Sequence, residues 1–264
     1  MVWDISPIAF TLHLGALEWP VRWYGLLFAG SFLYGIYFFQ WLYRRENRPV
    51  EDVHDLALYV VAGTLIGARL GHVFLYEPAF YLAHPSRILA VWEGGLASHG
   101  AFVGILLSVW IYSRRAAGQS FLWLMDRIAL ALPFAISLIR LGNFFNSEIL
   151  GRPADIPWAV IFARVDALPR HPVQLYEAAV YLPIFALGLR HYLRRGPDLP
   201  AGWMLGFFLV WAPVARFLLE FFKEEQAAFA SGWPLTMGQW LTLPAIAAGA
   251  WLCRRAVDVA RRPP

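Results

Sequence analysis

The chain is short of almost everything a soluble protein uses in quantity. Only 15% of its 264 residues are charged, against about 25% in ordinary soluble domains. Its single cysteine, Cys253, excludes an internal disulfide and any cluster of cysteine metal ligands. Its only lysine, Lys223, lies outside the last apolar run, which argues against a retinal-type Schiff base in a final span. The D-x-x-D-G signature of metal-dependent alcohol phosphatidyltransferases is missing, as is a G-x-S-G with a helical histidine partner. Those two membrane chemistries therefore have no motif to rest on. No internal repeat, low-complexity tract or soluble second domain is visible, and residues 1–21 lack the basic start of a cleavable signal peptide.

What the chain does have is apolar. Hydrophobic residues make up 59% and aromatics 17%, with a mean hydropathy of +0.51. Runs near the roughly 20 residues needed to cross a bilayer core occur at 22–42, 54–76, 95–112, 121–141, 174–192, 202–222 and 236–253. In lipid each span must satisfy its own backbone, as a helix does, and the alternating segments of a β-barrel are absent. The expectation is an all-α polytopic membrane protein, one transmembrane domain over 1–264 with seven transmembrane helices.

Arginine orients it. Twelve of the 22 basic residues fall in four groups, Arg44/Arg45/Arg48, Arg114/Arg115, Arg190/Arg194/Arg195 and Arg254/Arg255/Arg261/Arg262, which follow spans one, three, five and seven. The positive-inside bias makes that side cytoplasmic. The N-terminus is then periplasmic, the C-terminus cytoplasmic, and the largest external segment covers about 142–173. The basic balance reflects this topology and anionic headgroups, so no nucleic-acid partner is called for.

Ionisable residues at membrane depth are costly and mark functional candidates. Arg69 and His72 ("GARLGH"), His99 ("GGLASHG"), Arg140 and Glu148 ("SLIRLGNFFNSEILG"), and Arg216 and Glu220 ("ARFLLEFF") all fall near the outer ends of their spans. Asp126 and Arg127 are the exception, near the cytoplasmic start of span four. In the plainest reading Arg216 and Glu220, at i and i+4, pair on one helix face, Arg69 snorkels and His99 is packed. Their common depth favours a shared polar site. Gly63, Gly67 and Gly71 have the four-residue spacing that lets helices approach closely.

Arginines converging with Asn143 and Asn146 suit an anion, because guanidinium forks match phosphate oxygens. Facing the outer leaflet, the accessible anion is a phospholipid headgroup. A histidine with a reference pKa of about 6.5 can accept a proton from a nucleophile. Glu148 and Glu220 are candidates to orient His99 or the arginines, or to bind hydroxyls. No metal and no cofactor are called for.

Seven ordered blocks carry a resemblance: "RWYGLLF" at 22–28, "GARLGHVFLYEP" at 67–78, "VWEGGLASHGAFVG" at 91–104, "RLGNFFNSEILGRP" at 140–153, "LPRHPVQLYEA" at 168–178, "ARFLLEFFK" at 215–223 and "TMGQWLT" at 236–242. Together they resemble the bacterial phosphatidylglycerol–prolipoprotein diacylglyceryl transferases over nearly the whole chain. The resemblance implies an inner-membrane enzyme with seven spans and a site facing the periplasmic leaflet. Such enzymes transfer the diacylglyceryl group of phosphatidylglycerol to the lipobox cysteine of a preprolipoprotein. It matches the family's catalytic residues to Tyr24, His99, Arg140, Arg216 and Glu220, and its lipid-binding residues to Arg69, Arg140, Asn143, Asn146, Glu148, Gly151 and Arg216. The chain departs from the family pattern at Ala101, after His99 and Gly100, and at Ala212, four residues before Arg216. The alternatives are a divergent paralogue and an anionic-lipid-binding transporter or scaffold.

Overall fold

The computed structural model describes residues 1–15, 17–91, 94–115, 119–224 and 234–261, with the backbone alone described for Leu14, Leu17, Ser98, His99 and Ala260. Strands β1 (Val2–Trp3), β2 (Ile8–Leu14) and β3 (Leu17–Arg22) precede helix α1 (Trp23–Arg45). Helix α2 (Asp52–Leu75), the short α3 (Pro78–Ala83) and a 3-10 turn at Pro85–Leu89 follow. Then come α4 (Ser98–Arg115), α5 (Phe121–Asn146), β4 (Val160–Phe162) and β5 (Pro169–Arg170). Helices α6 (Val173–Arg195), α7 (Trp203–Leu219, extended by a 3-10 turn at Glu220–Phe222) and α8 (Met237–Ala260) complete the chain.

Among the described residues the seven long helices overlie the seven expected apolar runs. Four segments, Trp23–Arg45, Asp52–Leu75, Phe121–Asn146 and Trp203–Phe222, are long and apolar enough to cross a membrane. Large apolar side chains face outward from these helices, among them Leu33, Ile66 and Trp211, as lipid contact requires. The protein is thus a mainly helical membrane protein. The strands are a difference from expectation: stretches of two to seven residues leave no trace in a hydropathy reading scaled to spans of about 20 residues.

The chain divides into two compact units, Phe38–Met125 and Met1–Tyr37 with Asp126–Pro264. In the first, α2 lies against α4 with backbone touching backbone. A Cβ on Gly71 would stand 2.7 Å from the Gly100 Cα, and one on Gly67 would meet the Gly100 carbonyl and come 2.8 Å from the Gly104 Cα. The four-residue glycine spacing therefore serves helix approach, as small-xxx-small patterns do. At the other end of α2, the buried Tyr43 hydroxyl donates to Gln119 Oε1 at 2.6 Å, and Gln119 Nε2 donates to Asp52 Oδ2 at 2.6 Å.

In the second unit β1 runs parallel to β4, which pairs antiparallel with β5, while β2 and β3 form a separate hairpin. Trp3, Phe144, Val160 and Phe162 bury a small core under the three-stranded sheet. Ser137, the one polar residue in Ile128–Ile139, directs its hydroxyl toward the carbonyls of Pro133 and Ala178 at 3.1 and 3.0 Å. Asp126 also finds a structural role. Its buried carboxylate accepts the Gly202 N–H at 2.7 Å and the Leu205 N–H at 2.9 Å, satisfying donors that the start of α7 leaves open.

Candidate active site

The core of the site grows from the end of α5, which runs on to Asn146, past the expected end of the span. Arg140, Asn143 and Asn146 therefore stand at three-residue intervals on one helix face. Arg140 Nη1 donates to Asn143 Oδ1 at 3.2 Å. Asn143 Nδ2 and Asn146 Nδ2 donate to the two carboxylate oxygens of Glu148 at 3.2 and 3.0 Å. The chain turns sharply here: Ser147 and Ile149, on either side of Glu148, have φ of 57° and 56°. Left-handed backbone at a β-branched residue is a true outlier, and such strain persists where surrounding contacts impose it. The imposing contacts are Glu148 N–H to the Asn143 carbonyl at 2.9 Å and Gln174 Nε2 to the Glu148 carbonyl at 2.6 Å.

Tyr24 joins from the start of α1. A Cβ on Gly142 would come 3.0 Å from the Tyr24 ring and 3.3 Å from its Cα, so glycine lets α1 close onto α5 between Arg140 and Asn143.

Glu177, on α6, is fully buried. One of its oxygens lies 2.5 Å from Arg140 Nε and the other 2.7 Å from Lys223 Nζ. Lys223 is itself 5% exposed and reaches toward Glu220 Oε2 at 3.5 Å. Glu220 packs under the first turn of α8, where a Cβ on Gly238 would run into its carboxylate. That turn is fixed by a capping box between Thr236 and Gln239, and helix N-termini favour a nearby negative charge.

Glu177 and Lys223 are absent from the residues expected from the sequence. Two signals pointed to them. Glu177 is the only acidic residue in α6, and Lys223 is the only lysine among 22 basic residues.

The plainest reading of the i, i+4 spacing, a pair between Arg216 and Glu220, is not what the structure shows. Glu220 turns to Lys223, and among the described residues Arg216 has no hydrogen bond or ion pair of its own. It lies within electrostatic range of Tyr181, as do Arg140 and Glu177. Tyr181 packs with Ala212, one turn before Arg216 on α7.

Gly151 has a backbone role. A Cβ there would strike the His171 carbonyl and come 2.7 Å from the His171 Cβ, while its own carbonyl accepts Arg170 Nη1 at 3.0 Å. Arg170 also pairs with Asp166 at 2.5 Å and Glu224 at 3.1 Å. The Arg170 guanidinium, hydrogen-bonded to Asp166, holds that carboxyl below the usual carboxylate range.

Two expected residues belong to the other unit. Arg69, expected as a lipid ligand, makes its contacts here with a neighbouring loop. Its guanidinium donates to the carbonyls of Ile88, Arg87, Gly94 and Gly95 at 2.8, 2.5, 2.6 and 3.2 Å and stands 5.0 Å over the Tyr81 ring. His99 begins α4, but its side chain lies outside the described residues. His72, on α2, approaches Glu77 at 3.6 Å.

The structure thus brings Tyr24, Arg140, Asn143, Asn146 and Glu148 together and ties Glu220 to them through Lys223 and Glu177. Such an arrangement, with an arginine whose donors are only partly committed, can receive an anion.

Comparison with known proteins covers nearly the whole chain. Residues 7–255 match the family described as prolipoprotein diacylglyceryl transferase. A protein of Chloroherpeton thalassium named phosphatidylglycerol–prolipoprotein diacylglyceryl transferase is 50% identical over 259 residues, covering 98% of this chain and 95% of its own. Proteins of the same name from Tolumonas auensis and Porphyromonas gingivalis are 47% and 41% identical, covering 94% and 97% of this chain and 95% of their own length in each case.

Proposed function

The chain belongs to the prolipoprotein diacylglyceryl transferase family, and from that premise we propose that it moves the diacylglyceryl group of phosphatidylglycerol onto the lipobox cysteine of a preprolipoprotein. The cysteine sulfur attacks the C3 carbon of the diacylglyceryl unit. A C–S bond forms as the C3–O bond to phosphate breaks, the electron pair leaves with the phosphate oxygen, and glycerol phosphate departs. The thiol proton passes to a base, for which His99 is our candidate. The step needs no oxidant or reductant.

The observation that carries this reading is the partly committed guanidinium of Arg140, together with an Arg216 that has no ion pair among the described residues. The leaving group gains charge as the bond breaks, and donors aimed at developing charge lower the barrier most. Arg140, fixed through Nε by Glu177 and through Nη1 by Asn143, keeps donor capacity on its outer edge among the described residues. Asn143, Asn146 and Glu148 hold the turn in shape and offer partners to the glycerol hydroxyls. Tyr24 supports the Arg140–Asn143 face of α5. A thiol with an ordinary pKa of about 8.5 is largely protonated near neutrality, so removing its proton is the second demand on the site.

The enzyme sits in the inner membrane with seven spans, its N-terminus and site on the periplasmic side. The arginine groups behind α1, α4, α6 and α8 support this orientation. A reporter fused near residue 160 should read periplasmic, and one after residue 48, 115 or 196 cytoplasmic. A cytoplasmic signal at 160 would reverse the orientation.

The deciding assay incubates the purified protein in detergent with phosphatidylglycerol and a lipobox peptide. Release of glycerol phosphate, with a matching gain of mass on the peptide thiol, is the expected result. Lipid binding without either product would leave the transporter or scaffold reading in its place.

A further inference from the structure

Behind the polar face of α5 lies a second layer of charge that the proposed reaction does not itself consume. We propose that Lys223 is a positioning residue of the transferase: by holding the far oxygen of Glu177, it lets Arg140 present an effective positive charge to the lipid phosphate. This rests on the transferase reading above.

The reasoning begins with Glu177. Its side chain is fully buried, and a buried carboxylate needs compensation by partners. Arg140 supplies one at 2.5 Å. If that pair stood alone it would be close to neutral, and a phosphate reaching the outer edge of Arg140 would meet a carboxylate directly behind it. Lys223, 2.7 Å from the second Glu177 oxygen, offsets that carboxylate from the side away from Arg140. Glu220, 3.5 Å from Lys223, does not cancel the effect fully, because it also rests against the N-terminal turn of α8.

The position is built rather than accidental. Lys223 bridges to Gly151 in an antiparallel pair. Arg152 N–H donates to the Phe222 carbonyl at 2.8 Å, Arg152 Nε to the Lys223 carbonyl at 2.8 Å, and Glu224 N–H to the Leu150 carbonyl at 3.1 Å. The loop that carries Glu148 therefore fixes the backbone of Lys223 from both sides. Residue type points the same way. In a chain that otherwise uses only arginine for its basic side chains, the one lysine stands where a compact ammonium fits between two carboxylates. A planar guanidinium fork demands more room and a different geometry.

The test uses the full-length protein in detergent, with phosphatidylglycerol and a lipobox peptide, and measures kcat, KM for the lipid and melting temperature. Lys223→Met should lower kcat/KM by about 10²-fold, the scale seen when one partner of a buried charge pair is removed. Lys223→Arg, which keeps the charge, should lose only about tenfold. The decisive variant combines Glu177→Gln with Lys223→Met, removing one anion together with one cation. It should fold better than Lys223→Met alone and recover about tenfold in kcat/KM, because the carboxylate behind Arg140 is gone. If folded Lys223→Met has normal kcat and KM and only a lower melting temperature, the residue is purely structural and the proposal fails. If the double variant is no better than Lys223→Met, the lysine acts on substrate directly and not through Glu177, which also overturns it. Absence of glycerol phosphate with the unmodified protein would instead sink the transferase reading on which the proposal stands.

Discussion

Arg69 and Arg216 both stand in long apolar helices, and they hold their guanidinium groups in opposite ways. Arg69 directs its donors at four backbone carbonyls of the segment between Arg87 and Gly95 and lies over the Tyr81 ring. Arg216 has no such partners among the described residues. Arg140 falls between them, with a carboxylate on one side and an asparagine on the other. An arginine within an apolar span is costly to place, and the three differ in what holds them: Arg69 is buried, while Arg140 and Arg216 are half-buried. Where carbonyls from a neighbouring loop consume the donors, the charge organises chain. Where donors remain, the charge is available to a ligand.

The sharpest way to break this comparison is Arg216→Ala. Turnover at saturating lipid should fall by about 10³-fold, as when a preorganised donor to a developing oxyanion is removed, while the melting temperature changes little. If saturated turnover survives and only lipid affinity drops, Arg216 docks the lipid and does not assist the leaving group. Arg140→Lys is the next largest. It keeps a charge but loses both the fork and the Nε contact with Glu177, and should retain about 1% of turnover. Near-normal activity would show that the fork is dispensable.

Arg69→Met should behave in the reverse sense. Leaving four part-buried carbonyls without their donor should cost about 1–3 kcal/mol of stability, read as a lower melting temperature. Turnover per folded molecule should stay within about threefold of the parent, the size of effect left when no transition-state contact is removed. A stable but inactive Arg69→Met protein would instead place Arg69 in the substrate site.

The smallest effect concerns Arg170, whose partner Asp166 is on the surface. Because the folded protein holds the Asp166 carboxyl below its ordinary range, its contribution is present above the unfolded carboxyl pKa. It is lost as pH falls through the folded value. Asp166→Asn should therefore lower the melting temperature slightly at pH 7, and the difference should vanish in acid. A difference that persisted or grew in acid would mean that the pair is not the cause.

How much of this was readable beforehand follows from the range of each interaction. Arg140, Asn143, Asn146 and Glu148 lie within nine residues, and their grouping needs only the repeat of one helix and the turn after it. The apolar runs place the long helices for the same local reason. The glycine spacing in α2 anticipated close packing but could not name Gly100 and Gly104 as its partners. Glu177 and Lys223 each reach Arg140's surroundings across distant parts of the chain, so neither gives a local pattern. Their clues were compositional, a lone acid in a helix and a lone lysine in the chain. The role of Arg69 depended on the path of the loop after α3, which hydropathy does not encode. The i, i+4 spacing of Arg216 and Glu220 was true, yet the helix tightens into a 3-10 turn at Glu220, and the carboxylate pairs with Lys223 instead.

The contact between Glu220 and the glycine at the head of α8 has a consequence for when the enzyme comes into being. A ribosome that has just passed Lys223 has already made Tyr24, Arg140, Asn143, Asn146, Glu148, Glu177, Arg216 and Glu220. The surface on which Glu220 rests, the capped turn with Gly238, has not yet been translated. A nascent chain halted there would carry the whole inventory of reactive side chains with one wall missing. The wall behind Glu220 is thus the last part of the site to be made, because it belongs to the last helix.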